Sequence, residues 1–178
     1  MAERFLRIMA VSLAAWLVVF FGLPSITRVS AAPPDCPLEK AHYVIRDEQG
    51  MTAGFRSGQA GAEPDIFFFV RSESRNKTAW FLPYRASGPG ITTHLASTTD
   101  ITAPGWRPDG PKSLGDLDYA VTDDDGRPVP DFWFHQGAKA PAHILIPRLQ
   151  DVLLYGAPSD SHEGLSLAFL DFDTCDPG

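Results

Sequence analysis

Cysteine, asparagine and lysine are scarce in this 178-residue chain, which has two cysteines, one asparagine and four lysines beside eleven arginines. Two cysteines without a Cys-x-x-Cys spacing exclude a thioredoxin-type redox pair and a cysteine-built zinc centre. The bias of Arg over Lys and the single Asn point to a GC-rich bacterial genome. Asn76-Lys77-Thr78 is then read as a polar hairpin turn rather than a glycosylation sequon. Helix-sized amphipathic segments are missing after the first thirty residues, and there is no internal repeat.

Long apolar runs are also missing, with one exception. Arg4 and Arg7 precede a run from Ile8 to Leu23 that is apolar apart from Ser12 and Gly22. Its 16 residues would extend about 24 Å as a helix, short of a hydrocarbon core of ~30 Å. Pro24 and the small residues Val29-Ser30-Ala31-Ala32 follow, so the pattern predicts a cleavable secretory signal over residues 1–31. Cleavage after Ala31 is preferred to cleavage after Ala32, which would leave Pro33 beside the scissile bond. The alternative is an uncleaved signal anchor; after cleavage no stable membrane insertion is expected. The periplasm or the extracellular space is the expected location, reached by a Sec-type route because no twin-arginine pair is present.

Basic charge is in deficit, at 15 Lys and Arg against 22 Asp and Glu. Removing residues 1–31 takes away Arg4, Arg7, Arg28 and Glu3, leaving 12 basic against 21 acidic residues. Such a surface repels phosphate backbones, so no nucleic-acid partner is expected. The remaining residues, 32–178, are of a length that fits one domain. Cys36 and Cys175 lie at its two extremes, and in an oxidising compartment they are expected to form a structural disulfide. In the chain-entropy view, closing so long a loop is worth about 5 kcal/mol.

What is abundant is short alternating segments punctuated by turns. Strands are predicted at Ala41–Asp47, Met51–Arg56, Asp65–Ser72 and Thr78–Arg85, then at Ile91–Leu95 and Thr98–Thr102. Further strands are predicted at Asp118–Thr122, Val129–His135, His143–Ile146 and Leu165–Thr174. Ile66-Phe67-Phe68-Phe69-Val70 is apolar on both faces and should lie in the middle of the packed structure. Pro147 and Gly156 bracket a segment suited to one or two helical turns around 147–154. Eight to ten short strands without crossover helices predict an all-β fold. The expected form is an antiparallel β-sandwich, immunoglobulin-like in general character, with a small β-barrel as the alternative.

The motifs that suggest chemistry mostly reduce to structure. Asp123-Asp124-Asp125-Gly126 resembles part of a calcium loop, but an EF-hand alignment on Gly126 puts Val121 and Phe132 at the terminal ligand positions, and neither supplies a side-chain oxygen. Asp-Gly between two strands is a hairpin turn. Asp171 and Asp173 would lie on one strand face about 6 to 7 Å apart, which suits a charged edge. Gly54 to Gly58 lacks the spacing of a nucleophile elbow, and His162-Glu163 lacks the second histidine of a zincin. No catalytic residue or cofactor is assigned.

Two candidate sites remain. Residues 80–109 concentrate aromatics, arginines, Gly and Pro, and a loop folding back over the strands would bring Arg85, His94, Trp106 and Arg107 together. Aromatic faces and guanidinium groups suit a flat or acidic small polar ligand. The competing reading makes Trp80 and Tyr84 packing residues and Trp106 a lid. His135 and His143 flank the segment 136–142 and would form a metal site if a hairpin joined them and a third ligand were supplied. The function expected from the sequence is an exported, non-catalytic binding module for a protein partner or a small polar ligand. A hydrolase with a dispersed site and a His-based metal module are the alternatives.

Overall fold

In the computed structural model the residues described are 35–58, 64–86, 92–108, 116–155 and 167–177. The segment 1–31, expected to be a secretory signal, and residues 157–164, with His162 and Glu163, lie outside them. Nine strands are formed: β1 (Ala41–Ile45), β2 (Met51–Ser57), β3 (Ile66–Ser72), β4 (Lys77–Ala86), β5 (Thr92–Thr98), β6 (Asp116–Asp118), β7 (Ala120–Thr122), β8 (His143–Pro147) and β9 (Leu167–Cys175). One helix, α1 (Leu149–Tyr155), lies between β8 and β9, where the sequence predicts a helical segment. No helix among the described residues is long and apolar enough to cross a membrane.

The strands make one antiparallel sheet in the order β6-β5-β4-β3-β2-β1-β9-β8-β7. Laid flat, nine strands would spread over roughly 38 Å. Yet β6 and β7, at opposite ends of that order, are separated in the chain by Tyr119 alone. A single residue spans only about 7 Å, so the sheet must curl until its edges meet. The result is a nearly closed barrel in which the segment 116–122 pairs with β5 through its first half and with β8 through its second. Two facing sheets are not formed among the described strands; the barrel alternative fits.

Two strand predictions are corrected. Thr98–Thr102 is not a second strand, because β5 runs unbroken to Thr98 and Asp100 Oδ1 then accepts the Thr102 N–H at 2.8 Å, turning the chain. Val129–His135 is not a strand either. Pro128 and Pro130 cannot donate to a ladder and Asp131 sits at φ 57°, so the chain leaves the sheet after one isolated bridge between Thr122 and Pro128. The turn at Asn76, with φ 46°, makes the expected hairpin, whereas the turn at Asp123–Gly126, with Gly126 at φ 74° and Asp123 Oδ1 accepting the Asp125 and Arg127 N–H groups, leads only to the isolated bridge at Pro128 and not to a second strand.

Inward positions follow the period-two rule and fill the barrel. Tyr43, Phe55, Phe68, Phe81, Leu95, Ile144 and Leu170 belong to one buried cluster. Ring contacts run through it: Tyr43 meets Phe55 and Phe172 edge-on at 6.1 and 5.9 Å, and Phe55 meets Phe68 at 5.2 Å. An eight-stranded circuit of this kind is just wide enough for its side chains to fill or for one small ligand. The Tyr43 hydroxyl is satisfied by donating to the Pro141 carbonyl at 3.0 Å, and burial pushes its pKa up.

The two ends are finished differently. At one end, segment 128–142 folds across the mouth and inserts Phe134, which is 1% exposed, flat against Tyr119 at 4.1 Å and edge-on to Phe55 at 4.7 Å. Backbone bonds from Leu38 N to Ala138 O and from Ala140 N to Cys36 O tie this plug to the chain just before β1. The Cys36–Cys175 disulfide fastens the same strip to the end of β9. At the other end, α1 places Leu149 and Val152, both fully buried, against the core.

Truncating the plug should therefore cost stability without redirecting the fold. Phe134→Ala is expected to lower the unfolding free energy by about 3–5 kcal/mol, measured by urea denaturation with tryptophan fluorescence. A loss below about 1 kcal/mol would mean that the mouth is not closed by this ring.

Candidate functional site

Trp80, Leu82, Ala96, Ile101 and Trp106, together with Phe67, form a second apolar cluster on the outer wall of the barrel. Successive residues of β3 and β4 point to opposite faces, so Phe68 and Phe81 enter the core while Phe67, Trp80 and Leu82 gather outside with Ala96. This explains why Ile66–Val70 is apolar throughout: one side faces the interior and the other is covered. The cover is the chain after β5, which folds back so that Trp106 meets Phe67 edge-on at 5.2 Å and donates from Nε1 to Thr98 Oγ1 at 3.1 Å. Close packing continues onto β2, where a side chain on Gly54 would meet the Phe69 ring at 2.9 Å. Trp106 packs over Phe67 on the outer wall of the barrel.

Arg85, His94, Trp106 and Arg107 are divided between faces. His94 lies on the outer wall, stacked on Tyr84 at 5.1 Å, with its Nδ1 2.6 Å from Asp118 Oδ1. The Tyr84 hydroxyl donates to Asp116 at 2.8 Å, and burial together with that bond and the neighbouring acids pushes its pKa up to about 12. Arg85 points to the other face and lies over the Trp133 ring at 4.9 Å, beside the plug. Arg107 is exposed next to Trp106.

His135 and His143 also have separate surroundings. With no strand over 129–135, no hairpin joins them. His135 is exposed on the plug, and its Nδ1 lies 3.0 Å from the Gln136 carbonyl. His143 begins β8, and its Nδ1 approaches Asp171 Oδ1 at 2.8 Å. Among the described residues no group of three metal-ligating side chains forms. Asp171 is instead the centre of an outer-wall network, accepting Arg46 Nε and Nη2 at 2.9 and 2.6 Å, while Arg46 also covers the Phe169 ring at 4.8 Å. Asp173 is not part of it. The β1–β9 register shifts between Phe172 and Thr174, so Asp173 occupies a bulge and is exposed.

An open cavity of about 840 Å³ lies at the helix end, and of its lining only Trp80, Thr98, Thr99 and Asp100 belong to the 80–109 span singled out from the sequence. Its apolar lining includes Met51, Val70, Ala79 and Leu153; around them lie Ser72, Arg75, Lys77, Asp100 and the Glu48–Gln150 pair. These residues come from the β1–β2 turn, the β3–β4 hairpin, the end of β5 and α1. The signal was present in the turns. In an up-and-down barrel, alternate connections emerge at the same end, so the tips at 46–50 and 73–76 must share a mouth. Once the meander is known, their polar residues become neighbours; an unassigned strand order hides this.

No family model matches the chain, and no curated protein or solved structure matches it. The site must therefore be read from its own chemistry.

Burial raises the Asp171 pKa, but hydrogen bonds from Arg46 and His143 outweigh it and leave the carboxyl below its usual value. A depressed carboxylate stabilises the fold fully above its unfolded pKa of about 3.9, and that contribution is lost as pH falls through the folded value. Asp171→Asn should therefore be less stable than the wild type at pH 7, with the difference shrinking below about pH 4. Urea midpoints across pH 2–7 read this directly; a difference that does not vary with pH would contradict the network.

Proposed function

We propose that this protein is an exported, non-catalytic binding module whose ligand is a small molecule taken up at the helix end of the barrel. The supporting observation is the helix-end cavity: its volume of about 840 Å³ lies within the ~300–1,000 Å³ range of ligand sites. Met51, Val70, Ala79, Trp80 and Leu153 give it an apolar patch set within a lining that is otherwise polar and charged. Export is supported by the Cys36–Cys175 disulfide, which persists in oxidising compartments. The acidic balance argues against nucleic acid as the ligand. A docked protein partner has less support, because the only large hydrophobic residues exposed among those described are Val44 and Val129, too few for an apolar patch. The hydrolase and the His135/His143 metal module have no comparable observation in their favour.

Nile red, a neutral dye that fluoresces in apolar surroundings, tests the cavity without favouring any charge. It should bind one-to-one. Two cavity-filling substitutions, Ala79→Phe on the apolar lining and Thr99→Trp on the exposed rim, should each reduce binding by tenfold or more, on the order of 1.4 kcal/mol. Near-UV circular dichroism establishes that each variant keeps its fold. Absence of saturable binding to the wild type, or binding indifferent to both substitutions in folded protein, would overturn the reading.

A further inference from the structure

The charged groups lining the helix-end cavity are Glu48, Arg75, Lys77 and Asp100, and they are not equivalent. Both acids are already engaged within the fold. Glu48 Oε1 accepts the Gln150 side-chain amide at 2.8 Å, holding the β1–β2 turn against α1. Asp100 Oδ1 accepts the Thr102 N–H and hydroxyl at 2.8 and 2.6 Å, which closes the turn after β5. The two cations have no such work. They flank Asn76, whose φ of 46° makes the tip of the β3–β4 hairpin, and among the described residues neither the Arg75 nor the Lys77 side chain makes a hydrogen bond or ion pair. In a chain with an acidic excess, the charged groups at this mouth whose side chains are not tied into the fold are thus two neighbouring cations, while each acid has one oxygen held by the fold.

From this arrangement we propose that the ligand is an acid-headed amphiphile, its anionic group held by Arg75 and Lys77 and its apolar body laid along Met51, Val70, Ala79 and Leu153. The inference rests on the binding role proposed above and adds the polarity of the ligand. A carboxylate, sulfate or phosphate monoester satisfies the head-group chemistry equally, since each accepts charge-assisted bonds from a guanidinium and an ammonium. A cationic ligand meets the opposite situation: it would face Arg75 and Lys77 as like charges, and the acids it would seek are each already tied to the fold through one oxygen. An uncharged apolar ligand would use the lining and leave the cations idle.

The test is displacement of Nile red by decanoate and by decanol, each kept below its aggregation concentration, with the full folded protein. The variants are the double substitution R75Q/K77Q and, as a control, R71Q, which removes an exposed β3 cation that does not line the cavity. Decanoate should displace the dye from wild type, and R75Q/K77Q should weaken decanoate by roughly tenfold, as expected for two partly exposed charge contacts. Decanol should be unaffected by that change, and R71Q should leave both competitors as they were. Unchanged decanoate displacement in R75Q/K77Q, equal weakening of decanol, or an R71Q effect as large as that of the double variant would overturn the acid-head assignment while Nile red binding kept the cavity reading intact. Failure of Nile red to bind at all would remove both.

Discussion

A one-residue connection governs the whole architecture. Because Tyr119 alone separates the strand pairing with β5 from the strand pairing with β8, the two edges of the sheet cannot part, and every other strand must fit inside the circuit they close. Near-closure leaves little of the exposed hydrogen-bonding edge that open sheets must otherwise protect. It also fixes the interior volume, so inward side chains have to fill a space of set width. The chain fills it with large rings, Tyr43, Phe55, Phe68, Phe81 and Phe134, each buried to within a few per cent of completely. The hydroxyl of Tyr43 finds a carbonyl partner in Pro141. Among the described residues no buried side-chain polar atom is left without a partner.

A closed wall has two open ends, and the sequence spends different material on each. The end nearest Cys36 and Cys175 receives an irregular segment whose prolines and positive-φ aspartate keep it out of the sheet, leaving it free to turn Phe134 inward. The other end receives a seven-residue helix. Such a short helix covers the β8–β9 side with Leu149 and Val152 but leaves the β3–β4–β5 side concave. The asymmetry between plug and cavity follows from the size of the two covers.

Much of this was legible in the residues. The disulfide, the turns at Asn76 and Gly126, and most strand positions follow from local rules about alternation, turn chemistry and cysteine placement. What local rules lacked was strand order. The same alternating pattern serves a sandwich and a barrel, and the decision lies in long-range pairing, such as that of Ala41 with Cys175. The candidate site suffered for the same reason. Arg85 and His94 are close in sequence, but the pleat sends them to opposite faces, one to Trp133 and the other to Asp118. Arg75 and Lys77 looked like ordinary turn residues until the meander placed them on the rim of a cavity. Val129–His135 misled because its aromatic alternation resembles a strand, while the prolines around it deny the backbone donors that a strand requires.

The outer wall carries its own division of labour. Over β3, β4 and β5 it is apolar and roofed by Trp106; over β8, β9 and β1 it is ionic, with Asp171 shared between Arg46 and His143. The first arrangement gives the wall thickness by burying aromatic area, and the second ties three adjacent strands together at the surface.

The disulfide brings the Cα atoms of residues 36 and 175 within 5.9 Å of each other, at the end of the barrel away from the cavity. All nine described strands lie between these two residues, so the segment 36–175 starts and finishes at nearly the same point. Spliced into an exposed loop of a host protein, it would interrupt that loop by little more than the gap between two neighbouring strands. Its open mouth would face away from the point of attachment, so a sensor or display scaffold built around it would need no long spacer to keep the cavity clear of the host.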